Sequence, residues 1–112
     1  MEYLITIYND AEIGRMFDED ATDDIDAAHE ALQRELRASG ELVDTNVLSD
    51  VEARVVRVED GQVVVEEGRY SANGIWAGGF YRVDCADLDR ATAIAARFVE
   101  ARWSPIEVRR ID

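Results

Sequence analysis

Hydrophobic and polar positions fall in short blocks along this chain, and their period changes from block to block. Residues 2–8, EYLITIY, are β-branched and aromatic and predict a strand. Tyr3, Ile5 and Ile7 face one way; Leu4, Thr6 and Tyr8 face the other. Both faces are largely apolar, so one is expected to meet helices and the other a second subunit or a pocket. Residues 9–26 are rich in Asp and Glu and predict a solvated loop leading into a helix. The period then becomes helical over about Asp23 to Ala38, with Ile25, Ala28, Leu32 and Leu36 as the apolar stripe. Thr22 is the expected N-cap and Gly40 the residue that closes the helix. ELVDTNVL, residues 41–48, predicts a second strand.

ARVVRVEDGQVVVEEG, residues 53–68, carries two β-rich runs around Asp60-Gly61, a pair suited to a tight hairpin turn. EGRYSANGIWAGG, residues 67–79, is glycine-rich and predicts a mobile loop bearing Tyr70 and Trp76. GGFYRVD, residues 78–84, returns as a strand. ADLDRATAIAARFVEARW, residues 86–103, predicts one amphipathic helix with Asp87 as N-cap. Leu88, Ala91, Ala95 and Val99 form its stripe, with Phe98 alongside and Trp103 as a packing residue at its end. Pro105 stops helix, and IEVRRI forms a last short strand. The order is strand, helix, strands, loop, strand, helix, strand. That is an α+β class and close to a split β-α-β, ferredoxin-like layout.

Size and charge narrow the setting. The chain has 112 residues, 47% hydrophobic and 33% charged, which suits one globular domain over residues 1–112. The net charge of −13 opposes binding to nucleic acid or to an anionic membrane surface. No apolar run reaches the roughly 18 residues of a membrane span. The start, MEYLITIYND, has no basic n-region and carries Glu2, so no signal peptide is expected. The single cysteine, Cys85, forms no internal disulfide, fits a reducing cytoplasm and is expected to be a buried, inert thiol. Counted from Asp18, a calcium loop would need Gly and Glu where the chain has Asp23 and His29, so no metal site is expected. GIWAGG lacks the Lys and Ser/Thr of a phosphate loop.

Three stretches together are similar to one family. EYLITIYND resembles the opening strand of the YCII-related proteins. AAHEALQRELRASGELV resembles their histidine-bearing helix and the turn after it, and GGFYRVDCADLDRATAIAAR their Gly-Gly-Phe-Tyr strand, acidic cap and Ala-rich helix. The closest branch is the DGPF group. At its naming motif this chain reads Glu67-Gly68-Arg69-Tyr70, without the proline, and the run that follows is the apolar SANGIWA. The resemblance implies a ferredoxin-like antiparallel sheet with two helices on one face, pairing as a dimeric α+β barrel around a central cavity. The expected partner is a second copy of the chain, and no cofactor is implied.

His29 is the only histidine. At 100° per residue it lies about 40° from Ile25 and about 20° from Leu36, inside the apolar sector of its helix. It is either a core-edge histidine satisfied locally or a general acid or base, and the resemblance implies a His-Asp pair. A catalytic imidazole needs an orienting carboxylate. Asp44, Asp50 and Asp84 are the candidates, with Asp44 preferred and Asp84 also explicable as an orienting residue before the helix. Tyr70 and Trp76 are either a lid or the apolar wall of a ligand site. Tyr81 alternates with Phe80, so one faces the helices and the other the cavity. Arg54, Arg69 and Arg82 suit surface ion pairs better than an anion clamp. Two functions are consistent with this pattern. One is a cofactor-independent enzyme doing isomerase- or lyase-like chemistry on a small organic molecule with His29. The other is a non-catalytic ligand-binding or regulatory dimer.

Overall fold

A computed structural model describes residues 1–18 and 23–112, and the expected N-cap Thr22 lies outside them. The elements run β1 (Glu2–Asp10), α1 (Ala11–Asp18), α2 (Asp23–Ser39), β2 (Leu42–Val47), β3 (Arg54–Glu59), β4 (Gln62–Glu67), β5 (Ile75–Asp84), α3 (Leu88–Ala95), a 3₁₀ turn (Val99–Arg102) and β6 (Ile106–Arg110). One sheet has the order β2-β5-β1-β6, and every neighbouring pair is antiparallel. Hairpin β3–β4 stands apart as a two-stranded sheet. This is the ferredoxin-like α+β arrangement.

The alternation in β1 sets the layers. Tyr3, Ile5 and Ile7 are buried and share one face with Tyr81 and Val83 of β5. Leu32 and Leu36 of α2 pack there, with Ala91, Ile94 and Ala95 of α3 and Phe98 beyond it. Small alanines let α3 lie close to the sheet, as burial of Ala91 and Ala95 requires. The opposite face carries Leu4, Thr6, Phe80 and Arg82 in register with Glu107 and Arg109 of β6.

Five expectations need correction. Residues 11–18 form a helix rather than a loop: Asp10 Oδ1 accepts the Ile13 amide at 2.9 Å, and Ile13 anchors the turn in the interior. β5 starts at Ile75, so the loop before it is shorter and Trp76 lies on a strand. Trp103 is exposed rather than packed. The predicted helix over 86–103 is broken. Asp87 caps α3 as expected, accepting the Arg90 amide at 2.8 Å. After Ala95 the bonds tighten to three-residue spacing, with the Arg97 amide donating to Ile94 and the Phe98 amide to Ala95. Phe98 is extended, and a separate turn begins at Val99. Leu88, expected in the stripe, is exposed, and Ile94 takes the buried position.

The two glycines before Phe80 have separate packing reasons. A Cβ on Gly78 would meet Asn9 Nδ2 at 2.1 Å; the register shifts between Ile7 and Tyr8 and leaves Gly78 as the unpaired, bulged residue of β5. A Cβ on Gly79 would come within 3.1 Å of the Asn46 carbonyl on β2.

The end of α2 is tied to the start of α3 by charge. Arg90 donates to both oxygens of Glu41, at 2.9 and 2.8 Å, and Ser39 Oγ adds a third donor at 2.8 Å. The Arg90 hydrogen bond holds the Glu41 carboxyl at about 2, against burial, which acts the other way. A folded carboxyl below its unfolded value stabilises above the unfolded value and loses that contribution as pH falls through the folded one. Glu41→Gln should therefore lower the urea midpoint at pH 6. The difference from wild type should shrink below pH 4.5 and vanish near pH 2. A constant difference across that range would show that the ion pair is not the cause.

Candidate functional site

The broken helix matters because of where it leaves Glu100. Glu100 is 4% exposed and turned inward from the 3₁₀ turn. Its Oε2 lies 2.6 Å from His29 Nε2. The other ring nitrogen, Nδ1, lies 2.7 Å from the Tyr81 hydroxyl. Gln33 Nε2 donates to that hydroxyl at 3.1 Å. The four side chains form one chain from α2, β5 and the 3₁₀ turn: Glu100, His29, Tyr81, Gln33.

The hydrogens follow from the ends. An ionised carboxylate only accepts, so Nε2 carries the hydrogen of a neutral His29 ring. Nδ1 is then an acceptor, and the Tyr81 hydroxyl donates to it. That leaves the phenol oxygen to accept from Gln33, with one further acceptor position unfilled. Phe98 holds the rings in place, 4.7 Å from Tyr81 and 5.3 Å from His29 between centroids. Burial is the main influence on Tyr81 and holds its phenol above the ordinary range. The Gln33 hydrogen bond works against this and the Glu100 charge adds to it. Tyr81 is thus a neutral donor at physiological pH.

This chain forms part of the wall of a cavity of about 500 Å³. His29, Gln33, Tyr81 and Glu100 line it, with Asn9 and the Gly78-Gly79 backbone on the strand side. The His29 side chain is 16% exposed, so the ring is lodged at the edge of the core.

The expected carboxylates lie elsewhere. Asp44 is exposed and accepts from its neighbours, the Thr45 amide at 2.9 Å and Asn46 Nδ2 at 3.1 Å. The reason is a bulge in β2 between Leu42 and Asp44. It registers Asp44 with Arg82 and Thr45 with Tyr81, so Asp44 shares the sheet face opposite His29. Asp84 falls on that same opposite face by alternation from Tyr81, and its Oδ1 meets the chain's amino terminus at 3.0 Å. Asp50 lines the cavity but is held by Arg69 at 2.8 Å. His29 meets Glu100 in place of all three.

The expected aromatic wall divides in two. Tyr81 faces the helices and lines the His29 cavity, whereas Tyr70 and Trp76 line a second cavity of about 820 Å³ with Tyr8 and Arg69. Arg69 stacks on Trp76 with its guanidinium carbon 3.8 Å from the ring centre, and Tyr70 is largely exposed. Arg82 and Arg54 form ion pairs with Glu2 and Glu67 at 2.6 and 2.8 Å. Cys85 is buried, and burial raises its thiol above the ordinary value, which keeps it protonated and inert.

Gln33 and Glu100 escape sequence reasoning for different reasons. Gln33 stands four residues after His29 on the same helix strip and is legible by spacing. On one continuous helix, Glu100 would point about 130° away from the apolar stripe. Only the break after Ala95 turns it inward. Among the described residues, no three His, Cys, Asp or Glu side chains gather as a metal-binding set, and no helix is long and apolar enough to cross a membrane.

Comparison with the curated proteins gives no match. The sequence profile of the YCII-related domain matches residues 1–112, the full span given, and the chain belongs to the YCII-related family.

Proposed function

We propose that this protein is a cofactor-independent acid–base enzyme acting on a small organic molecule in the His29 cavity. The observation that carries this reading is the Glu100–His29–Tyr81 chain in the wall of that cavity. A carboxylate on one imidazole nitrogen fixes the tautomer and stabilises the imidazolium that forms when the other nitrogen takes a proton. Here that other nitrogen faces Tyr81. A substrate C–H proton would pass to the phenol oxygen as the phenol proton passes to Nδ1. The electron pair left on carbon then moves into an adjacent carbonyl. An isomerase returns the proton at a second carbon, and a lyase expels a leaving group. Asp44 and Asp84 take no part in this scheme, and Tyr70 and Trp76 belong to the separate second cavity.

The assay is solvent exchange. The protein is incubated in D₂O with a panel of small carbonyl compounds bearing acidic C–H bonds, followed by mass spectrometry. Wild type should load deuterium into, or eliminate from, at least one compound, and His29→Leu should not. No turnover anywhere in the panel would favour a second reading, a non-catalytic ligand-binding or regulatory module. One observation speaks for that reading: both His29 nitrogens are already engaged and Tyr81 is only 2% exposed.

Two finer assignments accompany the proposal. Gly78-Gly79-Phe80-Tyr81 and the retained Gly68 and Tyr70 support placement in the DGPF-like branch. A homodimer through the sheet face of Leu4, Thr6 and Phe80 would cover side chains that are only half-buried in the single chain. Light scattering at micromolar concentration should return twice the chain mass of 12.6 kDa.

A further inference from the structure

The charges around the His29 cavity are one-sided. Asp26, Glu30, Asp50 and Glu100 line it, and among the described residues no Lys or Arg does. Asp50 is neutralised by Arg69. Asp26 and Glu30 have no ion-pair partner among the described residues. Their spacing with His29 and Gln33 on α2, at 26, 29, 30 and 33, places them along one strip above the cavity.

The hydrogen-bond inventory leans the same way. Glu100 is 4% exposed, lines the cavity, and its Oε1 has no hydrogen-bond partner. One oxygen of this buried carboxyl group thus faces the cavity without a donor. The Tyr81 oxygen also has an acceptor position to spare. The cavity thus offers acceptors and negative charge and lacks cationic donors. An anionic substrate would enter against these carboxylates with nothing to clamp it. A ligand with a protonated amine would complement the field and supply the missing donors.

We infer that the His29 cavity selects small molecules carrying a cationic amino group and rejects carboxylates of the same shape. This rests on the reading of the cavity as the functional site. The amine sits towards Asp26 and Glu30, under the field of Glu100, and leaves the carbon to be deprotonated beside Tyr81.

The single histidine makes the test direct. In protein labelled with ¹⁵N-histidine only one imidazole gives signals. Three matched probes are titrated: benzylamine, benzyl alcohol and benzoate. Benzylamine should shift the His29 signals saturably, at least about five-fold more tightly than benzyl alcohol, the size of one partly solvated charge pair. Benzoate should cause no saturable shift. The doubly neutralised variant Asp26→Asn/Glu30→Gln should bring benzylamine down to the affinity of benzyl alcohol and leave the alcohol unchanged. Both positions are exposed, so the variant is expected to fold, and far-UV circular dichroism verifies this. Benzoate binding as tightly as benzylamine overturns the charge preference while the cavity reading stands. A variant that keeps the wild-type preference for the amine overturns it equally. Absence of any shift with all three probes overturns both.

Discussion

His29→Leu is expected to cost about 3 kcal/mol of stability at pH 7, because it removes one partner of a buried pair and leaves the other charged. Glu100 would keep a buried carboxylate with neither oxygen bonded. For a domain of this size the melting temperature should fall by roughly 10 °C. Glu100→Leu should cost less, about 1–2 kcal/mol, since it strands only one imidazole N–H. The double variant His29→Leu/Glu100→Leu should be more stable than His29→Leu alone, because a hydrophobic pair replaces an orphaned charge. Strictly additive losses would mean that the 2.6 Å contact carries no coupling.

The same double variant, set against wild type, bears on why the pair exists. If both leucines leave the protein at least as stable as wild type, stability is not what keeps the pair, and its place at a cavity wall points to chemistry or recognition.

How legible was this in the sequence? The alternation in EYLITIY and the 3.6-residue stripe of α2 are enough to place the sheet, its buried face and the inward position of His29. Those features depend on period alone, and the periods are long and regular. The partner of His29 is not legible. It depends on two local irregularities that shift the face a residue presents. The β2 bulge turns Asp44 away, and without it Asp44 would register with Tyr81 on the helix side. The break after Ala95 turns Glu100 in. Neither position is marked by Gly or Pro, so neither shift is signalled locally. The division of the aromatics has a similar origin. Trp76 sits in a glycine-rich run that suggests a loop, but β5 extends back to Ile75 and fixes it away from the His29 cavity.

Tyr81→Phe deletes one oxygen and should lower kcat/KM of the proposed reaction by about 10²- to 10⁴-fold, the usual worth of a positioned proton-transfer group. The structural cost should be small beside this. His29 Nδ1 and Gln33 Nε2 each lose a partner, for about 1–2 kcal/mol together, while the ring still packs on Phe98. Loss of activity from a folded variant would not by itself separate proton transfer from positioning of His29. A pH profile does. Burial holds the Tyr81 phenol above its ordinary value, so the rate should stay level to about pH 10 and fall only beyond it. Replacing Tyr81 with 3-fluorotyrosine acidifies the phenol and keeps its shape. The falling limb should then move to lower pH with the melting temperature nearly unchanged. A profile that ignores the fluorine would reduce Tyr81 to a support for the imidazole and leave His29 to meet the substrate itself. Gln33→Ala discriminates further. Gln33 donates to the same oxygen, so it favours negative charge there, and its loss should cost about ten-fold in rate if the phenol oxygen gains charge in the transition state. If Tyr81 only braces the ring, removing Gln33 should leave the rate where it was.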